Sequence, residues 1–164
     1  MIVEYYWQNN PSEPNEMTRE LSASERVESP GYRNLQAGWW TLFIFVCLGV
    51  LLEWNLGFRS RFYMDASQHM RRLMWRLAHA HGTLLALLNI MFGIYACHLA
   101  RPGTANQEFA ASCLQAAGFL VPGGFFLAGL FAYQSTPGLA TLLIPLGAIL
   151  LVLGVLLTIR TYEK

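Results

Sequence analysis

At 164 residues and a net charge of +1, the chain has the length of one domain and no charge excess that favours nucleic acid or a strongly anionic partner. Hydrophobic residues make up 54% and charged residues 13%, about half the charge of an ordinary soluble domain. Cys47, Cys97 and Cys113 fall in apolar stretches without CxxC spacing, which excludes a disulfide framework and reads as small buried hydrophobes.

Residues 1–36 form a polar tail with six acids and three arginines, broken by Pro11, Pro14 and Pro30-Gly31. Ser22 and Glu25 stand at capping-box spacing, so a short helix between Glu16 and Glu28 is expected. No basic segment precedes the first apolar run, and that run itself would serve as the targeting signal. The acidic tail is available to a protein partner.

Residues 37–164 hold four long apolar runs. A bilayer core of about 30 Å takes about 20 apolar residues in a helix. Segments 37–58, 73–99, 109–133 and 138–160 meet that length, with Glu53 interrupting the first and no charge in the fourth before Arg160. The expected fold is an all-α integral membrane protein, a four-transmembrane-helix up-down bundle, because the short second and third connections force antiparallel neighbours. Trp39, Trp40, Trp54 and Tyr133 sit near span ends, where aromatic belts occur. The expected location is a multi-pass one, in the cell membrane or, for a bacterial source, the inner membrane.

The first connection carries Arg59, Arg61, Arg71, Arg72 and Arg76 against one acid, Asp65. Asp65 and Gln68 resemble a capping box, so the second helix is expected to start near Asp65 and to project beyond the bilayer. Arg59, Arg61, Arg71 and Arg72 suit either orientation charges or anionic headgroups. The two sides of the membrane tie by count of basic residues. The denser cluster beside the first helix tips the expectation toward a cytoplasmic loop and external termini.

Lipid gives apolar helices no hydrophobic reward for association, so small residues should line the contacts. Ala78, Gly82 and Ala86 offer such a face on the second span, and Ala140, Gly147 and Gly154 on the fourth. Pro122 and Pro145 lie inside the third and fourth apolar runs and predict two bent helices, with a cavity beside the kinks as the functional alternative. Gln115 reads as an interhelical hydrogen bond.

Ionisable groups at membrane depth face an interior or a cavity. Glu53 lies five residues before the end of the first run, about 7–8 Å below the surface. His79 and His81 enter the second run from the same loop to a similar depth. The expected pair is Glu53 with His81, or else with His79, with Arg76 above them and Asn89 two turns deeper on the His81 face. Structurally, such a pair fixes helix register. Functionally, Glu53, His79 and His81 are candidate catalytic residues, Glu53 as proton acceptor. Arg72, Arg76 and Asn89 are candidate ligand contacts, an arginine gripping an anionic group.

Histidines two apart point about 200° from each other on a helix and cannot chelate one metal together. A bis-histidine haem needs a partner histidine on a facing helix. The other spans carry none, His98 is roughly 30 Å from His79 by helical rise, and only His69 or a second chain could supply it. A zinc site lacks HExxH or a Cys/His cluster. Haem or metal is thus conceivable but not favoured, and the cofactor is left open. The leading expectation is a small accessory or assembly component of a membrane complex, with membrane lipids and a protein partner or second copy around it. The alternative is a membrane enzyme or cofactor- or ligand-binding protein for a lipid-soluble small molecule, using the Glu/His site. A transporter, which would have to dimerise, ranks third.

Overall fold

The computed structural model describes residues 29–59, 69–98, 105–131 and 139–162. These form α1 (Pro30–Gly57), α2 (His69–His98), α3 (Ala105–Leu130), a single 3-10 turn (Leu139–Leu142) and α4 (Leu143–Tyr162). All four helical segments are long and apolar enough to cross a membrane, the fourth taken as Leu139–Thr161. The expected tail helix at 16–28 and the Asp65 cap lie outside the described residues.

α1 starts seven residues before the expected first span. Ser29 is its N-cap, extended at φ −61 and ψ 139, and its hydroxyl accepts a hydrogen bond from the Tyr32 amide at 3.3 Å. Pro30 occupies the first helical position, where a missing N–H leaves nothing unsatisfied and the ring pre-sets φ. Pro30-Gly31 therefore opens a helix and does not break the chain. At the other end the Phe58 amide bonds the Trp54 carbonyl at 3.0 Å, and Arg59 takes the left-handed φ of 48 that stops the helix.

Three sets of close approaches fix the topology. Gly31 meets Cys97, Gly38 meets Ile90, Phe45 meets Gly82 and Gly49 meets His79, so α1 and α2 run antiparallel. Gly118 meets Asn89 and Gly129 meets Trp75, so α2 and α3 do too. Gly124 meets Ile144, Gly147 meets Val121 and Gly154 meets Leu114, giving the same relation for α3 and α4. The small residues Ala78, Gly82 and Ala86 are buried where expected, and Gly147 and Gly154 pack on α3.

The up-down order is thus present, but the helices do not close into a ring. Among the described residues α4 packs on α3 and its 3-10 turn, with at most marginal contact to α1 or α2. The most apolar stretches of α2 and α3 are 39% and 50% buried, those of α1 and α4 only 17% and 11%. The core sits where Phe92 of α2 meets Ala110, Ala111 and Leu114 of α3, with Leu151 and Leu157 of α4 packed against it.

Only one of the two expected proline kinks falls in a helix interior. Pro122 is buried inside α3. Pro145 is the third residue of α4, in the first turn, where no intrahelical bond is lost, and the 3-10 turn precedes it. The fourth run is therefore a tight turn followed by a shorter helix.

Candidate functional site

Two asparagines are among the deepest polar side chains of the described residues. Asn34 is 1% exposed and Asn89 4%. The Asn34 amide donates to Asn89 Oδ1 and to the Ala111 carbonyl, both at 3.0 Å. The Asn89 amide donates to the carbonyls of Leu85 at 3.0 Å and Leu114 at 3.1 Å. Two side chains thereby tie α1, α2 and α3 together where water is excluded. Each bond is electrostatically stronger there, and an unmade one is more costly. Gly118 on α3 makes room, since a Cβ there would lie 2.9 Å from Asn89 Nδ2.

Asn89 is therefore a packing residue at the bundle centre and lies far from the loop-side groups with which it was grouped. Its partner Asn34 falls in the segment that reads as tail. The missed signal is the capped helix start at Ser29-Pro30, which brings Asn34 into the helix. Gln107, also buried, donates to the Ala96 carbonyl at 3.4 Å. Gln115 has no hydrogen bond among the described residues, so Gln107 supplies the α2–α3 link expected of it.

The two histidines face opposite ways, as their spacing requires. His81 Nδ1 lies 2.9 Å from the Leu77 carbonyl one turn back, and its ring rests on Phe125 of α3 with centroids 4.9 Å apart. His81 faces α3, so the expected Glu53–His81 pair is not made. His79 faces α1. Its Nδ1 lies 2.7 Å from the Phe45 carbonyl, in a notch left by Gly49. A carbonyl can only accept, so Nδ1 carries the proton and Nε2 is the nitrogen left for other chemistry.

Glu53 does come to His79's groove. Val46, Gly49, Val50, Leu52, Glu53 and Leu56 of α1 form one wall, and Arg76 and His79 of α2 the other, around about 530 Å³. A second hollow of about 320 Å³ adjoins it through the shared Leu56 and Arg76, and adds His69, Arg72 and Leu73. His69, Arg72, Arg76 and His79 stand at spacings of three, four and three, one stripe of a helix face. That stripe is legible in the sequence as a three-four-three spacing, which crosses the His79–His81 pair and takes only its first member. Of the expected site, the structure unites Glu53, His79, Arg72 and Arg76, and separates His81 and Asn89 from them.

Arg71, beside the stripe, has another task. Its Nε donates to the Gly129 carbonyl at 3.3 Å, at the C-terminal end of α3, and its guanidinium lies 5.9 Å from the Trp75 ring centre. A cation at exposed helix carbonyls complements the helix dipole. Trp75 stacks on Phe126 and donates from Nε1 to the Phe126 carbonyl at 3.2 Å. Arg71 and Trp75 thus fasten the loop-side ends of α2 and α3. Among the described residues no three His, Cys, Asp or Glu side chains gather to hold a metal ion.

Gly49 should be the sensitive point of this wall. A Cβ there would fall 2.5 Å from His79 Cε1, so Gly49→Ala is expected to push the ring from its notch and cost about 1–3 kcal/mol by overpacking. Thermal unfolding in detergent, beside the unhindered Gly57→Ala, checks it. Equal melting of the two variants would mean that the notch does not hold the ring.

Comparison with protein-family models, curated proteins and solved structures found no match for this chain.

Proposed function

We propose that the chain is a four-span membrane protein that serves as an accessory or assembly component of a membrane complex, contributing surface and not turnover. The observation that carries this reading is how the polar and apolar groups are distributed. The deep amides of Asn34 and Asn89 are engaged in tying helices together, while α1 and α4 leave their most apolar stretches only 17% and 11% buried. Trp40, Ile44, Leu51 and Trp54 on α1 and Ile149 and Val152 on α4 are each more than half exposed. Soluble surroundings would not tolerate such faces, whereas lipid or a partner helix covers them without penalty. Glu53 lies near the loop-side end of α1, where a charge reaches the interface by snorkelling.

The test places a photo-crosslinking residue at position 47 or 149, at exposed points of α1 and α4, in the chain expressed in its own membrane. Carbonate-resistant retention and one discrete crosslinked product from either flank, preserved in mild detergent on native electrophoresis, are expected. Loss of the chain to the carbonate wash would remove the membrane reading. Retention with crosslinks to lipid alone, together with a monomer's size, would remove the assembly reading.

A further inference from the structure

We propose that the groove between α1 and the N-terminal half of α2 binds one anionic phospholipid, its phosphodiester on Arg72 and Arg76 and its glycerol-type head against Glu53. The inference rests on the membrane part of the preceding reading and not on the assembly part. Three observations carry it. First, the lining of the two adjoining hollows changes from apolar to basic: Val46 and Val50 at the inner end, then Leu56 beside Arg76, Arg72 and His69 toward the loop. That is the order of chain and head in a phospholipid whose tail lies along α1. Second, Arg72 and Arg76 share one helix stripe with His69 and His79, at spacings of three, four and three, so the two guanidinium charges add at one place and are not scattered as general orientation charges would be. Third, Glu53 lines the same groove from the α1 wall, with Arg76 and His79 on the α2 wall.

Glu53 makes the site selective. Arginine cations favour any phosphate, monoester or diester. A carboxylate on the opposite wall repels the second charge of a phosphate monoester and accepts hydrogen bonds from hydroxyls beyond a diester. The head that fits is therefore a monoanionic diester with hydroxyl donors, as in phosphatidylglycerol. A choline head has no donors, and phosphatidic acid brings extra negative charge to Glu53.

The experiment uses the full chain, delipidated in detergent and offered equal amounts of phosphatidylglycerol, phosphatidylcholine and phosphatidic acid with matched acyl chains, and native mass spectrometry reads the bound lipid. One bound phosphatidylglycerol is expected, ahead of both others. Arg72→Gln/Arg76→Gln is expected to lower its occupancy relative to phosphatidylcholine on the order of tenfold, and Arg76→Gln alone by a smaller factor. Arg160→Gln, which removes an equal charge at the end of α4, is expected to change nothing. Glu53→Gln is expected to bring phosphatidic acid level with phosphatidylglycerol. Circular dichroism confirms that each variant keeps its helices, and the exposed Arg76 is the variant least able to disturb them. No preference between phosphatidylglycerol and phosphatidylcholine, or equal losses in Arg76→Gln and Arg160→Gln, overturns the site. A chain that carbonate strips from its membrane takes both readings down, whereas a retained chain without head preference takes down this one alone.

Discussion

Asn89→Leu is expected to destabilise the helical core by about 2–3 kcal/mol, although leucine is the more lipid-compatible residue. The substitution removes the bonds to Leu85, to Leu114 and from Asn34. It leaves the Asn34 amide, itself 1% exposed, with the Ala111 carbonyl as its remaining acceptor. Interhelical hydrogen bonds between membrane helices average only about 0.6 kcal/mol each. The larger part of the effect is therefore the one Asn34 N–H left without an acceptor, which in a dry interior costs about 1–3 kcal/mol. Leucine also has to fit beside Gly118, where even a Cβ on the glycine would lie 2.9 Å from Asn89 Nδ2. A double-mutant cycle with Asn34→Leu, read by thermal unfolding in detergent, isolates the shared bond. The double variant is expected to be less damaged than the sum of the singles by about 1 kcal/mol, because the second change removes the group that the first one stranded. Strict additivity would mean that the two asparagines act independently.

Gly93→Val is expected to be more damaging still, above about 3 kcal/mol, or to prevent α1 from docking at all. A Cβ at position 93 would lie 2.7 Å from the Leu35 nitrogen, 2.8 Å from the Gly31 carbonyl oxygen and 2.9 Å from Leu35 Cα. All three are backbone atoms of α1, so no side chain can swing aside and the helix itself has to move. Moving it pulls Asn34 from Asn89, since these residues lie on the same pair of helices within a turn of the clash. Gly123→Ala is the contrast, with no atom within 4 Å of its added methyl. It is expected to be neutral or stabilising by up to about 1 kcal/mol through helix propensity. Melting temperatures of the two variants in one detergent test the pair, and similar values would mean that the α1–α2 interface is looser than the close approach of Gly93 implies.

Both predictions lie on the central parts of the α1–α2 and α2–α3 seams, whereas the groove lies at the loop-side end of α1 and α2. Substitutions at the exposed Arg76 and Glu53 should therefore alter binding with little change in folding. This separation allows the lipid experiment to be read without ambiguity.

The sequence by itself determined the number of long apolar helices, their approximate places, and the small-residue faces on α2 and α4. These follow from local composition and period, which need no knowledge of what lies across a contact. It also determined that His79 and His81 serve opposite faces, a matter of helical geometry alone. Tertiary structure decided which face met which neighbour. Glu53 and His81 share a depth, but depth says nothing about azimuth, and the rotation of α2 set by Gly31, Gly38 and Gly93 against α1 turns His79 toward α1 and His81 toward Phe125. Asn34 is polar, sits beside Arg33, and reads as tail until Ser29 and Pro30 are seen to start a helix. Only then does it fall opposite Asn89. That α4 lies on α3 without closing a ring is likewise not written in its period, because an almost uniformly apolar helix offers no preferred face to read and its place is set by where Gly147 and Gly154 find Val121 and Leu114.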